Sequence, residues 1–158
     1  MTNLDVLGTV PGIPGPKFVY LHLSSPHPPW VFDSAGSYKN EDDLYPGYTD
    51  AVAYLDKRMP DILRNIIAKS KVPPIIILQG DHGYAAGVQY ARLLNLNAYY
   101  LPGNGKQLVY PTITPINSFR LIFNAYFGGK YPMLADKGYW LGTGDHTNLI
   151  EVPNTCAH

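Results

Sequence analysis

Pro73-Pro74-Ile75-Ile76-Ile77-Leu78-Gln79-Gly80-Asp81-His82-Gly83 is the stretch on which the reading of this chain turns. The two prolines stop any helix that precedes them. Ile75 to Leu78 are apolar with no polar alternation, the pattern of a strand covered on both faces. Gly80 to Gly83 then ends the strand and sets a carboxylate and an imidazole side by side between glycines.

Upstream, Val52, Leu55, Met59, Ile62, Leu63, Ile66 and Ile67 recur at helical spacing and predict a helix over 48–69. Pro60 lies inside it. Its missing N–H and its clash with the preceding turn predict a kink, or a second helix starting there. Phe18 to Leu23 is an apolar, β-prone run read as a buried strand. Pro26, Pro28 and Pro29 make a stiff turn around His27, and 34–46 is a polar loop. Residues 1–16, with Gly8, Pro11, Gly12, Pro14, Gly15 and Pro16, read as an arm or linker without a helix.

Downstream, 84–94 is weakly helical and Ala98 to Leu101 is a short strand. Thr114 caps and Pro115 opens a helix with Ile116, Phe119, Ile122, Phe123 and Tyr126 on its apolar face, closed by Gly128-Gly129. Residues 139–141 and 148–152 read as late strands. Strands and helices therefore alternate. The expectation is an α/β fold, a layered and mostly parallel sheet with helices on both faces, forming one domain over 17–158.

The chain has 158 residues, 46% of them hydrophobic and 15% charged, which suits one folded domain and excludes disorder. Twelve Lys and Arg balance twelve Asp and Glu. A general nucleic-acid binder needs a basic surplus, so no nucleic-acid partner is expected. One cysteine, Cys156, excludes an internal disulfide and a multi-cysteine zinc site. No apolar run reaches the ~20 residues that span a bilayer, and the first residues do not form a signal peptide. If complete, the chain is expected to stay in the cytoplasm.

Ligands of open parallel sheets gather beyond the carboxyl ends of the strands. Asp81 and His82 stand at such an end. An oxygen and a nitrogen donor suit zinc or manganese better than calcium, and the flanking glycines let both converge. The alternative is that Asp81 caps the next helix and His82 is a surface residue. His27, held between prolines, is a second candidate, for substrate or metal; the alternative is a merely stiff turn. His22 lies within the strand and reads first as a hydrogen-bonded core histidine. A second Gly-Asp-His, with Asp145 and His146, follows a weaker strand. Asp5, Thr9, Arg120 and His158 are assigned no role. Neither a phosphate-binding Gly-Lys-Ser/Thr loop nor a Gly-x-Ser-x-Gly elbow occurs.

Taken together, Phe18–Leu23 leading into Pro26-His27-Pro28-Pro29, then 73–83, then Thr114-Pro115-Ile116-Asn117-Ser118-Phe119-Arg120, resemble the carboxyl-terminal part of sulfatase-like proteins. These belong to the alkaline phosphatase superfamily and include lipoteichoic acid synthase-type and sulfatase-domain membrane proteins. The resemblance runs over about residues 17–152. It implies that Asp81 and His82 ligate a divalent metal (zinc or manganese, with magnesium and calcium as alternatives). It implies that His27, and with it His22, faces the substrate or a second metal. The implied reaction is hydrolysis or transfer at a phosphate or sulfate ester by a Ser, Thr or modified Cys nucleophile. No position here matches that nucleophile or the family's first acidic ligand, so the chain is expected to be inactive alone. A non-catalytic binding or structural domain of the same fold is the alternative, and an unrelated α/β module is the third reading. A sheet lacking strands would expose an apolar edge or face, so a homo-oligomer is expected. Relatives of this kind are often membrane-anchored and face outside the cell.

Overall fold

A computed structural model of the chain describes residues 3–39, 44–84, 90–141 and 147–154. They fall into two compact units, Met1–Pro74 and Ile75–His158.

The first unit is built on helices. α1 spans Asn3–Leu7, a 3-10 turn covers Val10–Gly12, and α2 spans Leu44–Lys69. The helix at Asn3–Leu7 departs from the expectation for 1–16. Proline and glycine bar a helix only from Gly8 onward, and the five residues before them are free to coil and bury Leu4. Asp5 reaches Arg58 Nη2 at 2.6 Å and Asn65 Nδ2 donates to the Gly8 carbonyl at 2.9 Å, tying α1 to α2. α2 runs unbroken through Pro60. A proline inside a helix costs about 3 kcal/mol, and the apolar positions on both sides of Pro60, with Ala51 and Ile62 buried, outweigh it.

The strand expected over Phe18–Leu23 does not form: these residues hold no regular secondary structure, and Phe18 and Tyr20 are 83% and 80% exposed. A strand needs a partner for its backbone groups, and high β-propensity without one does not make a strand.

The second unit holds β1 (Ile76–Gln79), β2 (Asn97–Tyr100), α3 (Pro115–Tyr126), β3 (Gly138–Leu141) and β4 (Leu149–Val152), with 3-10 turns at Ala91–Leu93 and Gly103–Leu108. β1 pairs antiparallel with β2, Ile76 opposite Tyr100 and Gln79 opposite Asn97. β3 pairs antiparallel with β4, Gly138 opposite Val152. The strands and α3 fall within about a residue of the expected positions, while the helix expected over 84–94 is, among its described residues, only the 3-10 turn at Ala91–Leu93. Among the described residues the sheets are two-stranded and antiparallel, not one mostly parallel sheet. The run from Gln79 to Asn97 supplies no crossover helix among its described residues, so the chain doubles back beside itself. β1 is half-buried rather than covered on both faces.

Leu101, Leu121 and Ile122 centre the core of this unit, with Ile75, Ile77, Tyr99, Val109, Ile113 and Tyr126 packed on them. α3 begins at the expected residue but turns a different face inward. Asn117, Ser118, Leu121 and Ile122 are buried, while Ile116, Phe119 and Phe123 are exposed. Buried polar groups must be satisfied, and here they are. Asn117 donates from Nδ2 to the Leu134 carbonyl at 2.9 Å and to Asp136 Oδ1 at 2.9 Å, and accepts from the Leu134 N–H at 3.0 Å. Ser118 Oγ lies 2.6 Å from Tyr99 OH on β2. Thr114 does not cap α3 through its own hydroxyl. Its N–H and Oγ1 both donate to Asp136 Oδ1, at 2.7 and 2.6 Å, so a carboxylate from later in the chain holds the helix start. No helix among the described residues is long and apolar enough to cross a membrane.

Desolvation alone would raise the pKa of Asp136, but donors from Thr114, Tyr110 and Asn117 outweigh it and hold the carboxyl below its ordinary value of 3.8. A carboxyl depressed in the folded state stabilises the fold above its unfolded value, and that contribution is lost as pH falls through the lower folded value. Thermal unfolding followed from pH 6 downward is therefore expected to show a decline below about pH 4, and Asp136→Asn should flatten it. An unchanged acid limb in the variant contradicts this role.

Candidate functional site

The turn Gly80–Gly83 follows β1 directly, and hydrogen bonds hold it at both ends. The Gly80 N–H donates to the Leu96 carbonyl at 2.9 Å, extending the β1–β2 pairing past Gln79. Asn95 Nδ2 donates to the Gly80 carbonyl at 2.9 Å. At the far end the Gly83 N–H donates to the Arg92 carbonyl at 2.8 Å. Glycine is required at 83, because an added Cβ would stand 2.1 Å from the Leu94 carbonyl oxygen and 2.2 Å from that of Ala91.

On this turn Asp81 Oδ2 and His82 Nε2 approach to 3.5 Å. His82 Nδ1 lies 2.9 Å from the Gly83 carbonyl oxygen. A carbonyl only accepts, so Nδ1 carries a hydrogen, and Nε2 is the ring atom left facing the Asp81 carboxylate. Neighbouring ligands on a tetrahedral cation with bonds of ~2.0–2.1 Å stand about 3.3 Å apart. The pair therefore fits adjacent positions around one small divalent ion. Both side chains are open to solvent, Asp81 at 85% and His82 at 48% exposure. A metal centre needs more donors than these, and no group of three or more His, Cys, Asp or Glu suited to a metal occurs among the described residues.

His27 belongs to the first unit. Its N–H donates to the Ser24 carbonyl at 2.7 Å, and its Nδ1 donates to the Pro28 carbonyl at 2.7 Å. As at His82, a backbone carbonyl takes the Nδ1 hydrogen and leaves Nε2 as the donor atom to a ligand. Trp30 anchors the turn from below. It is buried, it donates from Nε1 to the Pro26 carbonyl at 2.8 Å, and its ring lies against Gly47 of α2, where a Cβ would come within 2.6 Å. His22 is exposed in residues that form no strand, so it is not the core histidine expected.

The remaining sequence candidates resolve as structural groups. Asp5 is paired with Arg58, Thr9 Oγ1 donates to the Val6 carbonyl at 2.7 Å, and Arg120 Nη1 donates to the Pro132 carbonyl at 3.0 Å. Asp145, His146, Cys156 and His158 lie outside the described residues. A hollow of about 270 Å³ beside α1 and α2 is lined by Asp5, Gly8, Arg58 and Asn65 among others, and neither His22 nor His27 lines it. Asn95 was not foreseen. It sits in Leu93-Leu94-Asn95-Leu96-Asn97, where only the register of β1 on β2 reveals that it meets Gly80.

The sulfatase family profile matches residues 6–137, most of the chain. The chain therefore belongs to the sulfatase family, within the alkaline phosphatase superfamily. That family has an α/β fold, hydrolyses sulfate and phosphate esters, and generally uses a divalent metal. The match begins inside the segment read as a linker, where α1 lies, and includes both the His27 turn and the Asp81–His82 turn. No curated protein and no solved structure matches the chain.

Gly83→Ala is expected to destabilise the second unit by about 1–3 kcal/mol, because backbone carbonyls cannot yield to the added methyl. Urea unfolding of the variant checks this; wild-type stability would show that the turn relaxes freely.

Proposed function

We propose that the chain is part of a metal-dependent hydrolase or transferase of phosphate or sulfate esters, with Asp81 and His82 as two ligands of one divalent cation. The observation that carries the reading is the 3.5 Å approach of Oδ2 and Nε2 on a turn braced at both ends, with the His82 tautomer set by the Gly83 carbonyl. Zinc or manganese suits this mixed oxygen and nitrogen set best, with magnesium or calcium as poorer fits. When bound, the cation supplies Lewis-acid stabilisation of negative charge on the ester oxygens.

The chain's own residues have narrower tasks. Asp81 offsets the charge of the cation, and His82 offers a neutral nitrogen held in one tautomer. His27, and more weakly His22, would face the ester or a second metal. His27 is the better suited, because the Pro26–Pro29 turn fixes its backbone and the Pro28 carbonyl directs its ring. The attacking group and the first acidic ligand have no counterpart in residues 1–158, so the chain alone does not turn over. The layered, mostly parallel sheet belongs to the same proposal: β1 and β2 each pair with only one strand among the described residues, and each has an edge to which others can add. The second reading, a binding or structural domain that keeps the fold, is favoured by the lack of a third metal-capable side chain near the pair among the described residues.

Zinc and manganese retention, measured on the wild type, Asp81→Ala and His82→Ala, tests the ligand assignment. The wild type is expected to bind zinc and each variant to lose at least about 10-fold in affinity; three indistinguishable proteins would end the metal reading. In the same experiment, chromogenic phosphate and sulfate monoesters should show negligible turnover. Metal-dependent turnover abolished by Asp81→Ala would show that a nucleophile does lie within the chain.

Phe18 and Tyr20 in the first unit, and Phe119, Phe123 and Phe127 in the second, are large apolar side chains open to solvent, which an assembly would cover. Self-association that covers it is part of the proposal. Light scattering at micromolar concentration should give a dimer or larger assembly, and a clean monomer contradicts this.

A further inference from the structure

We propose that Asn95 is a positioning residue for the Asp81–His82 pair, a role that rests on the metal-site reading above. Among the described residues, three hydrogen bonds hold the Gly80–Gly83 turn from outside, and two are backbone pairings: Gly80 N–H to the Leu96 carbonyl and Gly83 N–H to the Arg92 carbonyl. The third is made by a side chain. Asn95 Nδ2 donates to the Gly80 carbonyl at 2.9 Å, across fifteen residues of chain, and the bond is partly shielded from solvent.

Its position decides what it does. The Gly80 carbonyl belongs to the peptide unit that leads into Asp81, so fixing it fixes the direction from which the Asp81 side chain leaves the backbone. Glycine at 80 brings no side chain to limit its own φ and ψ. An external clamp is therefore needed where the chain is least constrained. Asn95 itself leads into β2 through Leu96, whose carbonyl takes the Gly80 N–H, so residues 95 and 96 grip both sides of the Gly80 backbone. Without the amide, the Gly80–Asp81 peptide is freer to rotate, and the neighbouring bond from the Gly80 N–H to the Leu96 carbonyl opens more often. Oδ2 then lies within reach of Nε2 less often. The exposed pair has no packing of its own to restore the geometry.

Zinc affinity by chelator competition and amide exchange of Gly80 and Gly83, read in metal-free protein, test this on the wild type, Asn95→Ala and Asn154→Ala. Asn154 is the control: in the same unit it likewise donates from Nδ2 to backbone carbonyls, those of Thr112 at 2.7 Å and Asp136 at 3.1 Å. Asn95→Ala is expected to weaken zinc binding by about 10-fold to 100-fold and to speed exchange at Gly80, while Asn154→Ala changes neither. Unchanged zinc affinity or unchanged exchange in Asn95→Ala overturns the proposal, as does an equal effect of Asn154→Ala. Should Asn95→Ala not fold, Asn95→Ser is read by the same measurements. If the wild type binds no zinc, the metal reading fails by itself, and exchange at Gly80 alone decides whether Asn95 holds the turn.

Discussion

The second unit depends on a polar cluster buried where a hydrophobic one is expected. Asn117 and Ser118 are fully shielded from solvent, and each must find partners or destabilise the fold by about 1–3 kcal/mol. Their partners lie at two places. Asp136 and Leu134 meet Asn117, and Tyr99 meets Ser118. Because hydrogen bonds are directional, these contacts set the rotation of α3 about its axis, which hydrophobic burial alone leaves loose. Ser118 to Tyr99 also joins the helix to β2. β2 in turn carries β1, and β1 carries the Asp81–His82 turn. The Asp81–His82 turn is thus tied, one step at a time, to the Asp136 carboxylate.

That arrangement explains why α3 shows its aromatic side outward. Phe119, Phe127 and Tyr131 gather around Phe123, their ring centroids 5.8 to 6.0 Å from its own. Apolar periodicity finds a helix from its hydrophobic stripe and assumes that the stripe faces the core. Here the polar pair 117–118 holds the inner face, and Leu121 and Ile122 supply the apolar contacts beside it. The first unit teaches the same lesson at Phe18–Leu23. Apolar, β-prone residues mark where a strand is favourable, but the strand forms only where another backbone supplies hydrogen bonds.

The turn that bears Asp81 and His82 was legible in the letters, since glycines on both sides of two ligand-type residues after an apolar strand signal a bend that exposes them. The family was legible for a similar reason: sulfatase-like motifs occur in order, and the profile match spans both histidine turns. What the motifs did not disclose is how the pair is held. The Asn95 clamp, the Arg92 carbonyl behind Gly83 and the carbonyl that orients the His82 ring all come from the path of the chain, and none leaves a local pattern.

From its sequence alone, the chain determines where the turn after β1 falls and where α3 starts and stops. Pro73-Pro74, Gly80, Thr114-Pro115 and Gly128-Gly129 punctuate the backbone locally, through φ restriction, missing donors and glycine's freedom, and such effects act within a few residues. The continuity of α2 through Pro60, the antiparallel return of β2 on β1 and the inward face of α3 were decided only by tertiary structure. Each of these depends on partners distant in the chain: packing along α2, the register of one backbone on another, and the donors and acceptors that Asn117 and Ser118 require once they are out of water.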